Sequence, residues 1–286
     1  MGIALSGPSL DSTIQLEQFM KIAVLNLMPN KVETEDQLLK SLGQNDYDIE
    51  FTFLRTATYQ SKNSDPAYLE ENYKIIDDVL SEEFHGFICT GAPVETLPFE
   101  SVLYMEELTQ IIQWARKKTD SSYYICWGAN VALYYFYGIE KIVYEKKILG
   151  VFDHEIIDPD ANLMDGLSGT IKIPVSRFSG VRKDDIDVEP DLELLLFSEK
   201  SGPCLIASKT HNEYYNFNHF EYDTDTLSKE YHRDRKNGME IDIPVNYFPN
   251  NDPNTDPVKC WDIHGTLFFN NWLQNMYAYS NSNKAE

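Results

Sequence analysis

The first clear pattern along the chain is KIAVLNL (21–27), an apolar run of strand length. In VETEDQLLKSL, Thr34 stands as an N-cap ahead of Glu35 and Asp36 and predicts a helix through QLLKSL. IEFTFLRT (49–56) alternates like a strand, and GFICTG (86–91) is another buried run that ends in glycine. SVLYMEELTQIIQWARKK (101–118) places Leu108, Ile111, Ile112 and Ala115 at helical spacing and ends in basic residues that suit a helix C-terminus. YYIC (123–126) reads as a strand, and ANVALYYFYG as a helix closed by Gly138. Near-continuous apolar strands alternating with helices imply a parallel sheet covered on both faces. Ligands bind such sheets at the carboxyl ends of strands. Three of those ends carry candidate chemistry: LMPNK, TGAP and CWGA.

The second half is less regular. Residues 139–190 are mixed and turn-rich; DPDANLMDG has the aspartate spacing of a calcium loop but lacks its closing glutamate, which leaves a solvated loop. LELLLFS, PCLIASK and YYNFNHFEYD read as strands. TDTLSKEYHRDRKNG reads as a helix, capped near Thr224 or Asp225 and ended by Gly238. A loop rich in Pro, Asn and Asp follows, and HGTLFFNNWLQNMYAY is a last helix set to pack on the sheet. With no clean linker, the expectation is one α/β domain over 21–280, a lead-in of 1–20 and a tail of 281–286.

Composition narrows the function. The formal charge of −22 argues against a nucleic-acid surface, since phosphate backbones are held by Lys and Arg. The four cysteines, at 89, 126, 204 and 260, form no CxxC pair, so neither a zinc ribbon nor a thioredoxin-like site is indicated. Sparse thiols read as reduced ones, which points to a cytoplasmic protein. No apolar run is long enough for a membrane span. MGIALS fits the short myristoylation pattern, one that chance often matches. No histidine cluster has metal-ligand spacing, and no metal is expected.

Cys126 falls where a strand ends and a helix begins, the position of a nucleophile on a tight turn. A buried cysteine serving as a small hydrophobe would look the same locally. A nucleophilic thiol needs a base, because the thiolate attacks. His219 and Glu221 lie two apart in HFE, on one face of a strand-like run, where the carboxylate orients the imidazole. A surface histidine beside an acid is the plainer reading of that tripeptide.

CWGANVAL, NHFEYD and KEYHRD together resemble the homoserine O-acyltransferases of the MetA family. LNLMPNKVETE, TGAPVETLPFE, YGIEK, GVFDHEI, SRFSG, NYFPNNDP and HGTLFFNNWL resemble further family segments in family order, over roughly 21–275. The resemblance implies a flavodoxin-like, class I glutamine amidotransferase-like fold with a nucleophile elbow and a mostly parallel sheet. It implies Cys126 as acyl acceptor, His219 as base and Glu221 as its orienting partner. Backbone N–H groups of Trp127 and Gly91 would hold the oxyanion, with the thiol at a helix N-terminus that favours thiolate. Lys147, Ser176 and Arg233 map to substrate contacts, with Glu230 near Arg233, and Lys31 maps beside the acyl site. Glu95 stands where acetyl-using members carry Glu and succinyl-using members Gly; its charge would repel a succinyl carboxylate.

The expected reaction is therefore ping-pong transfer of acetyl from acetyl-CoA, a co-substrate and not a bound cofactor, to the hydroxyl of L-homoserine in methionine biosynthesis. A homodimer is the family expectation. Val175 replaces a family histidine, and Asn218 and Phe220 replace Gly and Pro around His219. These changes leave L-serine as an alternative acceptor, in cysteine biosynthesis, since one methylene is weakly discriminated. Succinyl-CoA is the alternative donor, and a Cys-dependent amidotransferase or hydrolase the alternative class.

Overall fold

Buried residues alternate sides along the central strands with the period of two that a pleated sheet imposes. In β1 (Phe19–Leu25), Ile22 and Val24 face one layer of core while Ala23 and Leu25 face the other. β3 (Phe84–Cys89) divides Ile88 from Phe87 and Cys89 in the same way, and β4 (Thr119–Ile125) divides Tyr123 from Tyr124. A computed structural model describes residues 19–59 and 64–284; the MGIALS stretch lies outside them. On one face pack α3 (Met105–Lys118) and α4 (Trp127–Tyr137); on the other, α1 (Lys31–Leu42) and α7 (Asp262–Lys284). Gly86 lies under α7, with Met276 and Trp272 filling the space a side chain would take.

With β2 (Asp48–Leu54), β5 (Ile142–Ile156), β6 (Ile171–Gly180), β7 (Leu192–Ser198), β8 (Gly202–Ser208) and β9 (Glu213–Asn216), the sheet runs β2-β1-β3-β4-β9-β8-β7-β5-β6. The five strands from β2 to β9 are parallel, in the flavodoxin-like order with β9 as fifth strand. The remaining pairings are antiparallel. That antiparallel wing includes the stretch expected to be mixed and turn-rich. β5 is a 15-residue strand that pairs first with β6 and then, at its far end, with β7. At Gly150 (φ 143°) the chain around Val245 crosses so closely that a Cβ would stand 2.4 Å from the Val245 nitrogen.

Three local expectations are revised. α1 begins at Lys31 with Asn30 at the cap position, so Thr34 lies inside the helix, where its hydroxyl bonds back to the Asn30 carbonyl. α7 runs to Lys284, past the expected boundary at 280. β9 ends at Asn216, so HFE lies in a turn and not in a strand. Two further helices are α2 (Pro66–Asn72) and α5 (Lys183–Asp187). α6 (Thr226–Lys236) follows the HFE turn. No helix among the described residues is long and apolar enough to cross a membrane.

Candidate active site

Cys126 joins β4 to α4 in a conformation that non-glycine residues rarely adopt, φ 52° and ψ −112°. Its N–H donates to the Asn216 carbonyl at 2.7 Å, which ties the elbow to β9, and its carbonyl accepts from Ala129 and Asn130 at the start of α4. Two glycines make the packing possible. A Cβ on Gly128 would meet the carbonyl oxygens of Cys89 and Thr90 at 2.9 Å, and one on Gly91 would stand 3.3 Å from Cys126 Cβ. The TGAP backbone thus lies directly against the elbow, beside the first N–H groups of α4, which an α-helix leaves without partners. Strain at one residue, held by its surroundings, is a common mark of a functional position.

His219 and Glu221 meet although they leave the sheet. Nδ1 lies 2.6 Å from a Glu221 carboxylate oxygen, with both side chains nearly fully buried. The His219 N–H donates to Pro174 O at 2.9 Å, the Tyr222 ring stacks on the imidazole with centroids 4.1 Å apart, and Phe220 turns away to stack on Phe268 of α7. Trp261 Nε1–H donates to the Tyr222 carbonyl. These contacts fix the turn that a strand was expected to supply. Nε2 of His219 is buried without a hydrogen-bond partner among the described residues, and the imidazole interacts electrostatically with Cys126. Burial disfavours the imidazolium, but Glu221 and Cys126 outweigh it and lift the His219 pKa to about 10.

Cys126 moves the other way from the expected easy thiolate. Burial pushes its pKa up, Glu95 adds to the rise, and His219 and Arg177 pull it back only partly. The helix N-terminus is present, but burial and a neighbouring carboxylate prevail. Arg177 is a fully buried guanidinium whose hydrogen-bond partners among the described residues are all neutral: Tyr144 OH at 3.1 Å, Ser179 O at 2.8 Å, Asn218 Oδ1 at 3.4 Å, and the carbonyls of Ser201 and Pro203.

Beside this centre lies a cavity of about 500 Å3 lined by Met28, Pro29, Tyr222, Glu230 and Arg233, among others. Glu230 accepts from Ser176 Oγ, from Lys147 Nζ at 3.0 Å and from Tyr222 OH at 2.8 Å. Lys147 also pairs with Asp234 at 2.9 Å, so its ammonium is held between two carboxylates and lies outside the cavity lining. Arg233 bonds Asp234 and not Glu230, and its side chain is more than half exposed. Glu95 accepts from Phe178 N–H at 2.9 Å and Ser179 Oγ at 3.2 Å, and burial raises its pKa. Lys31 borders a different, larger cavity, where Nζ donates to Asn26 O at 2.5 Å.

Tyr222, Arg177 and Asp234 were not picked out from sequence. Each stands inside or next to a singled-out motif, and the cue was their position beside His219, Ser176 and Arg233.

The parallel order and the strained elbow define an amidotransferase-like α/β fold, and solved structures agree. A glutamine amidotransferase from Thermotoga maritima superposes with a TM-score of 0.58 at 10% identity, covering 91% of this chain and 98% of that one. A glutamine amidotransferase from Methylobacillus flagellatus gives 0.52 at 13% identity, covering 93% and 94%. Residues 10–283 match the family described as homoserine O-succinyltransferase. A homoserine O-acetyltransferase from Petrotoga mobilis is 45% identical over 91% of this chain and 84% of its own, and one from Ruegeria sp. (strain TM1040) is 41% identical over 90% and 83%. The chain belongs to this homoserine O-acyltransferase family.

Proposed function

We propose that this protein transfers an acetyl group from acetyl-CoA to the side-chain hydroxyl of L-homoserine through an acetyl-Cys126 intermediate, a step of methionine biosynthesis. The observation that carries the reading is the imidazole of His219, fixed at Nδ1 by Glu221 and interacting with the Cys126 thiol. The Cys126 thiolate adds to the thioester carbonyl, and the C–S bond to CoA breaks as the CoA sulfur takes the proton of the His219 imidazolium, which leaves the imidazole neutral. His219 then removes the homoserine hydroxyl proton as that oxygen attacks the acetyl-cysteine, and the ester leaves as the thiol re-forms. Trp127 and Gly91 N–H groups stabilise the oxyanion in both steps. Glu230 serves the acceptor's ammonium and Arg233 its carboxylate, with Lys147, Ser176 and Tyr222 holding Glu230 in place.

The relatives' names say acetyl and the family's description says succinyl. Glu95 supports acetyl: its partly buried carboxylate acts on Cys126, where a succinyl carboxylate would have to sit. The test is CoA release from acetyl-CoA or succinyl-CoA with L-homoserine or L-serine, alongside Cys126→Ala. Turnover confined to acetyl-CoA with homoserine, lost in the variant, and an intact-mass increase of one acetyl group without acceptor are expected. Glutamine hydrolysis in place of CoA release would overturn the reading.

A further inference from the structure

A second cavity, about 720 Å3, lies at the carboxyl ends of β1, β2 and β3 and has no part in the steps above. Asn26 and Leu27 follow β1, Arg55 and Thr56 follow β2, and Pro93 and Val94 belong to the TGAP loop after β3. Met28 and Pro29 line both this cavity and the acceptor cavity, so the two are neighbours across one turn of chain. The TGAP loop forms a second link: Gly91 lies against Cys126, and Val94, three residues on, is in the cavity wall.

Two cations, Arg55 and Lys31, border it without an ion pair among the described residues. Arg55 donates from one terminal nitrogen to the carbonyl of its own neighbour Thr56 at 3.2 Å, while its Nε is buried with no partner among the described residues. Nearby carboxylates are committed elsewhere: Glu35 accepts from the hydroxyls of Tyr68 and Tyr73, and Glu107 caps the N–H groups of Ala57 and Thr58. Glu70 lines the cavity as well, beyond ion-pair reach of either cation. Burial, and after it the charges of Glu35 and Arg55, set the Lys31 ammonium, which falls to about 8. In a chain with 46 acidic and 24 basic residues, two cations left facing a cavity point to an anionic ligand.

The rest of the wall is apolar, with Leu69, Val94, Leu97 and Leu103, the last 84% exposed. Tyr59 and Tyr104 stand 5.3 Å apart beside it. A largely apolar cavity bordered by Arg55 and Lys31 and by the nucleophile's TGAP loop suits a thioester whose arm ends in phosphates. We infer that this cavity receives the pantetheine arm and phosphates of the coenzyme A donor, with Arg55 as a phosphate contact and the TGAP loop as the threshold to Cys126. The inference rests on the acyl-CoA reading above and assigns the donor a place in it.

Two donors separate the possibilities: acetyl-CoA, and the acetyl thioester of N-acetylcysteamine, which keeps the reacting group and lacks the phosphates. Arg55→Ala should raise KM for acetyl-CoA tenfold to a hundredfold, the range of a lost charged hydrogen bond. The ratio of kcat/KM for acetyl-CoA over the short donor should fall by the same factor, and Arg55→Lys should restore part of it. Leu97→Trp, at the cavity mouth, should also lower that ratio. Equal losses with both donors, or no loss with either, would overturn the assignment. Titration calorimetry with free CoA reads the cavity even if no acyl transfer occurs. A Kd that rises tenfold or more in Arg55→Ala upholds the site, and an unchanged Kd, or no binding to the parent protein, rejects it. Absence of transfer from both donors with CoA binding intact would reject the acyltransferase reading alone.

Discussion

Cys126 is raised above its ordinary pKa by burial and then by the charge of Glu95, while His219 and Arg177 oppose them. Glu95→Gln removes a negative charge and keeps the side chain's volume. Iodoacetamide alkylation of Cys126, followed against pH, should therefore show its midpoint move to lower pH in that variant. A midpoint that stays put would mean that the Glu95 charge does not reach the sulfur. Glu221→Gln acts on the other partner. It withdraws the carboxylate that outweighs burial at His219, so the imidazole falls from about 10 toward its ordinary range. Turnover should drop by roughly 10^2 to 10^4, and the alkylation midpoint should rise because the thiolate loses its imidazolium. The same two variants would leave alkylation unmoved if Cys126 were only packing.

At the level of elements, the site depends on close backbone approaches more than on any helix. Gly150 lets the Val245 segment cross β5, with Val151 N–H bonded to Val245 O at 2.8 Å and Val245 N–H to Leu149 O at 3.0 Å. A Cβ there would meet that backbone and would be strained at φ 143°. Gly150→Ala should cost on the order of 2–4 kcal/mol in urea unfolding, whereas Gly166→Ala, with its nearest neighbour 3.8 Å away, should cost less. Four of the five parallel strands were legible as such: IAVL, FIC and YYI are apolar because both faces are buried, and IEFTFL alternates at the sheet edge, whereas β9 was legible as a strand but not as the fifth parallel one. β5 and β6 were not legible as strands. In β5, Glu145 and Lys146 are exposed and the Lys147 side chain is buried in ion pairs, so the apolar signal shrinks to a short stretch around Leu149–Phe152. Cys126, His219 and Glu221 were legible as candidate residues, and the structure brings the three side chains together. The means was not legible: a turn, and not a strand, pairs His219 with Glu221. Phe220 holds that turn to Phe268 of α7, a contact between segments far apart in the chain, and Tyr222, three residues on from His219, stacks on the ring. Lys147 shows the same limit, since its two carboxylate partners come from α6.

Over the whole molecule, two buried histidines shift in opposite senses, and each is expected to tilt stability with pH in its own direction. His154 is buried and neutral. Its Nε2 accepts from Asn218 Nδ2 at 2.8 Å and Ser201 Oγ at 3.2 Å, and Nδ1–H faces the carbonyls of Phe152 and Ile171. Burial, aided by Arg177, lowers its pKa to about 4. Between about pH 6.5 and pH 4 the unfolded imidazole is protonated and the folded one is not, so acid favours unfolding and this contribution is lost as pH falls through that window. His219 behaves in the opposite sense: raised to about 10, its contribution is complete below about pH 6.5 and is lost as pH rises through 10. At ~1.4 kcal/mol per pKa unit, each arm amounts to a few kcal/mol. The excess of carboxylates, −22 in formal charge, tilts every curve by self-repulsion as pH rises, so only differences between variants are diagnostic. Urea midpoints measured from pH 4 to pH 10 should peak near pH 6.5. His154→Gln should flatten the acid arm and leave the alkaline arm, and His219→Gln should do the reverse. If His154→Gln left the acid arm as steep as before, proton uptake by carboxylates alone would govern it. The contact from His154 to Asn218, the residue before His219, would then be a matter of packing and not of charge.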